Sequence, residues 1–218
     1  MSIISGFTFD LDGVITETSE FHFQAWKKLA EEEGLPFTRE DNEQLRGVSR
    51  HDSLMLMLKG RTYPEDKLQE MMHRKNEYYK AFLNDITPDD CLPGVQDFLA
   101  RARQANLKLG IGSASKNARP VLDKLQILDL FDVIGDGFSV ANSKPAPDLF
   151  VWVAGGFGVN PQETVVFEDA EAGIDAAKAA GCKTVGIGNS NINHADIVVA
   201  GLHELTVEDM LTQFEAHQ

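Results

Sequence analysis

The sequence predicts an α/β fold on a parallel sheet, with a block of helices inserted after the first strand. Three observations lead there. The segment Phe7-Thr8-Phe9-Asp10-Leu11-Asp12-Gly13-Val14 is an apolar run interrupted by two aspartates two positions apart and a glycine, which reads as a strand buried on both faces of a parallel sheet. From Cys91 onward, short apolar runs alternate with segments of helical period, the pattern of strand-helix-strand units with right-handed crossovers. Between these regions, residues 17–86 carry helical periodicity and no convincing strand.

Taken in order, the helices of 17–86 are broken at Gly34-Leu35-Pro36, Gly47 and Gly60, with Pro64 and Pro88 as further stops. Pro93-Gly94 opens a helix running to residue 105, and 107–112 follows as a buried strand. A helix is expected at 117–125, a short strand at 132–135 and a helix at 147–157. Strand 164–167 leads into helix 172–180, strands follow at 183–187 and 197–199, and 207–214 closes the chain as a helix. The expected organisation is a core of residues 1–16 and 87–218 with a helical cap of residues 17–86, joined by linkers near 16 and 87. Neither an internal repeat nor a low-complexity segment is present.

Size and composition narrow the function classes. A chain of 218 residues suits one main domain with a satellite, and 43% hydrophobic with 25% charged residues is ordinary for a globular protein. A net charge of −14 argues against general binding to nucleic acid or anionic membranes, which need a basic surface. It leaves room for a small phosphorylated substrate, because a local cluster of donors binds phosphate against an acidic background. Cys91 and Cys182 lack metal-ligand spacing and read as buried free thiols in a reducing compartment. Residues 1–4 have neither the basic start nor the apolar core of a signal peptide, so a soluble cytoplasmic protein is expected.

Chemistry-bearing residues follow the strands. Asp10 and Asp12 fall at the carboxyl end of the first strand, where open α/β sheets place ligands. Two carboxylates so close repel, so a cation or reacting group belongs between them; the competing reading is an Asp12-Gly13 turn with Asp10 capping the next helix. A calcium loop is disfavoured, since an EF-hand needs its glycine at the sixth position. Ser113-Ala114-Ser115-Lys116-Asn117 follows the strand ending at Gly112 and reads either as an anion site or as helix capping. Lys144 lies in the proline-stiffened run Ser143-Lys144-Pro145-Ala146-Pro147, fixed in place or simply solvated. Phe167-Glu168-Asp169 repeats the opening pattern of an apolar run ending in acids, which also suits the dipole of a following helix. The conjunction favours chemistry, because the acid pairs, hydroxyls and lysine would all meet at one sheet edge.

These residues resemble the four motifs of the haloacid dehalogenase superfamily of phosphotransferases: Asp10-Leu11-Asp12-Gly13, Ser113, Lys144 and Glu168-Asp169 match in order and position. The resemblance implies a Rossmann-like core of that type, with Asp10 as nucleophile and Asp12 as general acid and base. By the same likeness Mg²⁺ would be held by Asp10, the Asp12 backbone carbonyl, Asp169 and Glu168. Ser113, the Ala114 backbone and Lys144 would grip the transferring phosphoryl group.

Within the superfamily, residues 16–23 with Trp26, residues 42–50 with Ser53, Arg74-Lys75-Asn76 and residues 113–117 look like the β-phosphoglucomutases. These interconvert β-glucose 1-phosphate and glucose 6-phosphate through a β-glucose 1,6-bisphosphate. A hexose bisphosphate must be held at both ends, and Arg50 with Ser115, Lys116 and Asn117 suits the distal phosphate. The likeness places Thr18 and His22 near a hinge, and Gly47, Val48, Ser53 and Lys75 toward the sugar. Trp26 is either a core anchor or a sugar contact, and His22 either functional or a hydrogen-bonded structural histidine. Glu17 stands where many relatives have aspartate and Ala170 where serine is frequent. A monomer suffices for this chemistry. The alternative is a sugar-phosphate phosphatase on the same scaffold. An idle metal-binding module is disfavoured, because it needs neither Asp12 nor Lys144.

Overall fold

The computed structural model describes residues 4–188 and 192–216. Six parallel strands form one sheet in the order β3-β2-β1-β4-β5-β6. They are β1 (Gly6–Phe9), β2 (Lys108–Gly112), β3 (Val133–Gly135), β4 (Thr164–Glu168), β5 (Lys183–Ile187) and β6 (Ile197–Val199). The order reverses between β1 and β4, which makes their carboxyl ends the crevice where such folds bind ligands. Phe9 pairs with Ile111 on one side and Phe167 on the other. That register brings Asp10, Gly112 and Glu168 to one level.

Helices α1 (Ser19–Glu32), α2 (Arg39–Glu43), α3 (Arg50–Leu58) and α4 (Glu65–Phe82) follow β1. The remaining helices, α5 (Val95–Gln104), α6 (Ala118–Lys124), α7 (Asp148–Phe157), α8 (Glu171–Ala180) and α9 (Val207–Ala216), alternate with the later strands or close the chain. Sequence periodicity placed the strands and helices to within about two residues, except that the first apolar run pairs as a strand only to Phe9. Beyond it Leu11, Val14 and Ile15 are buried in a loop closed by the Ile15 and Thr16 amides donating to the Leu11 carbonyl at 3.0 and 3.1 Å.

Phe7, Phe9, Phe98 and Phe167 form the centre of the main core, with Phe9 stacked on Phe167 at 4.6 Å between centroids. Gly110 and Gly112 let α7 lie against the sheet: a Cβ at Gly110 would come within 2.7 Å of Phe157 and Val153, and one at Gly112 within 2.8 Å of Phe150. The helical insertion has its own apolar cluster, including Trp26, Leu29, Leu54, Met57 and Met71. Ala25, Tyr79, Leu83 and Ile86 belong instead to the main core, tying the insertion's base to the sheet domain. The chain enters and leaves this region side by side: Thr16 bridges Cys91, the Thr16 hydroxyl donates to the Asp90 carbonyl at 2.8 Å, and the Leu92 amide to the Ile15 carbonyl at 2.9 Å. No helix among the described residues is long and apolar enough to cross a membrane.

Of the two thiols, Cys182 is buried as expected but Cys91 only partly. Burial pushes the Cys182 pKa up to about 11, against the opposing effect of the Thr164 hydroxyl, which donates to its sulfur at 3.1 Å. At pH 8 only about one Cys182 in a thousand is thiolate. Disulfide-reagent labelling of the folded protein at pH 8 is therefore expected to modify Cys91 first and to reach Cys182 only on unfolding. Equal rates for both thiols in the folded protein would contradict this packing.

Candidate active site

The site starts from Asp10, the residue after β1, whose amide donates to the Phe167 carbonyl of β4 at 2.9 Å. Its Oδ1 accepts from Lys144 Nζ at 2.6 Å, and the same ammonium donates to Glu168. Asp10 caps no helix: α1 begins nine residues later. Lys144 is fully enclosed, with 0% of its side chain exposed, so the solvated-charge reading fails for it. Burial alone would lower the pKa of this ammonium, but Asp10 and Glu168 outweigh burial and hold it above the ordinary lysine value.

Asp169, the residue after β4, accepts from the Arg46 guanidinium of the insertion. Carboxylate oxygens of Asp10, Glu168 and Asp169 all lie within 4.8 Å of one another. At an effective dielectric near 20, each charged pair at that separation repels by roughly 3 kcal/mol. Burial and mutual repulsion accordingly raise the pKa of Asp169 well above the carboxylate range, with Arg46 acting in the opposite direction. Burial also raises Glu168, opposed by Lys144. Two glycines make the cluster possible. A Cβ at Gly13, which has φ of +76°, would fall 2.0 Å from Asp169 Oδ2, and one at Gly173 would fall 2.0 Å from the Glu168 carboxyl. Three crowded, buried oxygen donors fit a hard divalent cation such as Mg²⁺.

The Asp12 carboxylate lies outside that cluster. It accepts from the Thr18 hydroxyl, and its Oδ2 is 3.8 Å from His22 Nε2. The resemblance implies a metal contact through the Asp12 backbone carbonyl, not through this carboxylate. Although 25% of the side chain is exposed within the cleft, enclosure by the walls and repulsion from Asp10 push its pKa up to about 7, with Thr18 opposing. Thr18 also contacts the Tyr79 hydroxyl at 3.0 Å, and the His22 ring stacks on Tyr79 at 4.0 Å. Lys75 Nζ lies 2.7 Å from His22 Nδ1. As an ammonium Lys75 can only donate there, and in that state Nδ1 accepts and the imidazole proton sits on Nε2, the nitrogen nearer Asp12. Burial, then the Arg50 charge, lowers the Lys75 pKa well below normal; burial, Lys75 and Arg50 do the same to His22. His22 is therefore both a hydrogen-bonded structural histidine and part of the cavity wall.

Opposite stands the loop after β2. The Ser115 amide donates to Ser113 Oγ at 3.1 Å and the Asn117 amide to Ser115 Oγ at 3.2 Å, which fixes the loop's shape. Arg50 is the first residue of α3, whose start is capped by Ser49 accepting from the Asp52 amide at 3.1 Å. Arg50 and Asn117 meet at one acceptor: both donate to Asn76 Oδ1, at 2.8 and 2.9 Å. Lys116 Nζ sits over the exposed Phe138 ring at 4.9 Å.

A single cavity between insertion and sheet brings most of the expected residues together: Asp10, Asp12, His22, Trp26, Gly47, Val48, Arg50, Ser53, Lys75, Ser113, Ala114, Ser115, Lys116 and Asp169. Thr18, Asn117, Lys144 and Glu168 stand behind this lining and hold it. Trp26 is packed in the insertion's cluster, as a core anchor would be, with Lys75 Nζ 4.8 Å from its ring centroid, and it also lines the cavity. Ser19, Asn42, Leu45 and Arg46 also line it without having been singled out from sequence. Gly47, with φ of +73°, brings the insertion's loop close to the sheet: a Cβ there would stand 3.2 Å from Ala170 Cβ.

A family model for the haloacid dehalogenase-like hydrolases matches residues 4–181. The chain belongs to that family. It is 42% identical to the β-phosphoglucomutase of Bacillus subtilis, over 96% of this chain and 95% of that protein. A crystal structure of β-phosphoglucomutase from Clostridium difficile superposes with a TM-score of 0.96 at 40% identity, covering 99% of both chains. A phosphorylated carbohydrates phosphatase of Thermotoga maritima is 31% identical over 81% of this chain and 82% of that protein. The likeness to the β-phosphoglucomutases indicates that the chain is an enzyme of the phosphomutase class.

Proposed function

We propose that this enzyme is a Mg²⁺-dependent β-phosphoglucomutase, interconverting β-D-glucose 1-phosphate and D-glucose 6-phosphate through an aspartyl-phosphate at Asp10 and a β-glucose 1,6-bisphosphate. The observation that carries the reading is one cavity with phosphate-binding groups in two places. Asp10 and Ser113, backed by Lys144, serve the reacting phosphoryl group; Arg50 and Lys116, with Asn117 behind, serve the other. A phosphatase of small esters has no use for the second set. The 42% identity with the Bacillus subtilis mutase supports the same choice.

In this reading the Asp10 carboxylate attacks phosphorus, and Lys144 and Ser113 stabilise the phosphoryl oxygens. Asp12, with a pKa of about 7, gives a proton to the leaving sugar oxygen and removes one from the attacking hydroxyl. Thr18 and His22 orient its carboxyl. Mg²⁺ would be held by Asp10, Glu168 and Asp169 with the Asp12 carbonyl, and would neutralise charge on the transferring group. The insertion acts as the cap, residues 17–86 on a core of 1–16 and 87–218, and excludes water so that a sugar hydroxyl is the acceptor. All these residues come from one chain, which supports a working monomer.

³¹P NMR with Mg²⁺, β-glucose 1-phosphate and a trace of the bisphosphate tests the proposal. The expected result is conversion to glucose 6-phosphate with little inorganic phosphate. Inorganic phosphate as the main product would move the function to a sugar-phosphate phosphatase.

A further inference from the structure

Arg46 separates two hollows. On one side is the cavity of Asp10 and Asp12; on the other is a cleft lined by Glu43, Glu171 and Asp175, and Asp169 lines both. The guanidinium bonds Asp169 Oδ2 and lies 3.5 Å from Glu43. The three carboxylates of the candidate metal site thus carry two cations of the protein's own, Lys144 on Asp10 and Glu168 and Arg46 on Asp169. The two differ in their freedom to leave. Lys144 is fully enclosed between its partners, whereas Arg46 has 30% of its side chain exposed, belongs to the insertion and has Glu43 as a second acid within reach. An oxygen engaged by a guanidinium has less electron density to offer a metal, and the two positive charges repel across the shared carboxylate.

We propose that Arg46 is a built-in counter-cation for Asp169, which a divalent metal displaces on binding, freeing the segment 44–48 of the insertion from the sheet domain. The inference rests on the reading of Asp10, Glu168 and Asp169 as the metal site. Metal loading and release of the Gly47 loop are then one coupled equilibrium, and the coupling is reciprocal: by whatever factor the metal weakens the Arg46 tie, Arg46 weakens metal affinity. The displaced guanidinium turns to Glu43 and solvent.

The test is titration of the whole chain with Mn²⁺ alone, followed by electron paramagnetic resonance, for wild type, Arg46→Gln and Arg46→Lys. Amide hydrogen exchange over 44–48, with and without Mn²⁺, is measured alongside. Arg46→Gln is expected to bind Mn²⁺ about tenfold more tightly, with Arg46→Lys closer to wild type because it keeps the charge. Exchange at 44–48 is expected to rise with Mn²⁺ in wild type and to be high without it in Arg46→Gln. Equal or weaker Mn²⁺ binding by Arg46→Gln, or unchanged exchange in wild type, overturns the counter-cation role while leaving the metal site standing. Should Arg46→Gln fail to fold, wild-type exchange that does not respond to saturating Mn²⁺ overturns it equally. Absence of saturable Mn²⁺ binding by wild type overturns both the metal reading and this inference.

Discussion

Replacing Asp10 by asparagine is expected to abolish turnover, lowering kcat by at least about 10⁴-fold, while the fold survives. The side chains are nearly isosteric, but an amide oxygen cannot take a phosphoryl group as a carboxylate does. Two electrostatic changes oppose each other in the variant. Lys144 loses the partner at 2.6 Å but keeps Glu168, and the crowding of Glu168 and Asp169 by a third charge is relieved. Circular dichroism should therefore remain that of the wild type, with a thermal midpoint within a few degrees of it. Turnover near the wild-type rate would sink the nucleophile assignment; an unfolded variant would show that Asp10 is needed to neutralise buried Lys144.

Arg50→Ala should separate the two phosphate sites. Losing a charged group that pairs with a phosphate in an enclosed cavity costs about 2–5 kcal/mol, or roughly 30-fold to several thousand-fold in kcat/KM for the mutase reaction. Hydrolysis of a small ester such as p-nitrophenyl phosphate, which has no second phosphate, should change by less than about threefold. Arg50→Lys should fall between, since it keeps the charge and loses the bidentate fork. Equal loss of both activities would contradict a distal role and place Arg50 at the transferring group. The variant also frees Asn76 Oδ1, which Asn117 still engages at 2.9 Å, so the loop after β2 keeps one of its ties to the insertion.

Most of the sheet was legible because its strands are continuous apolar runs cut off by glycine, acids or serine, as at Thr164–Glu168 and Lys108–Gly112. The same feature made Asp10, Ser113, Lys144 and Glu168-Asp169 visible, since each falls at the end of a strand, just beyond one or in the loop leading from one. Helical pairings carried no such mark. Asn76 joins Arg50 to Asn117, 26 residues away in one direction and 41 in the other, and only the packing of α4 beside α3 and the β2 loop brings them together. Tyr79 reaches Thr18 across 61 residues in the same way. Arg46 lies inside the matched run 42–50, but nothing in that run shows that its partner is Asp169, 123 residues away. The stripe of small residues under α7 was likewise silent, because Gly110 and Gly112 read only as strand residues until a helix lies on them.

In the proposed reaction Asp10 itself carries the phosphoryl group between two sugar oxygens. Rapid quench of the enzyme with Mg²⁺ and β-glucose 1,6-bisphosphate, followed by peptide mass spectrometry, tests it directly. The expected result is one added phosphoryl group on the peptide containing Asp10, lost on adding β-glucose 1-phosphate and absent in Asp10→Asn. A phosphoryl group on another residue, or turnover with no phosphoenzyme at any quench time, would contradict the account.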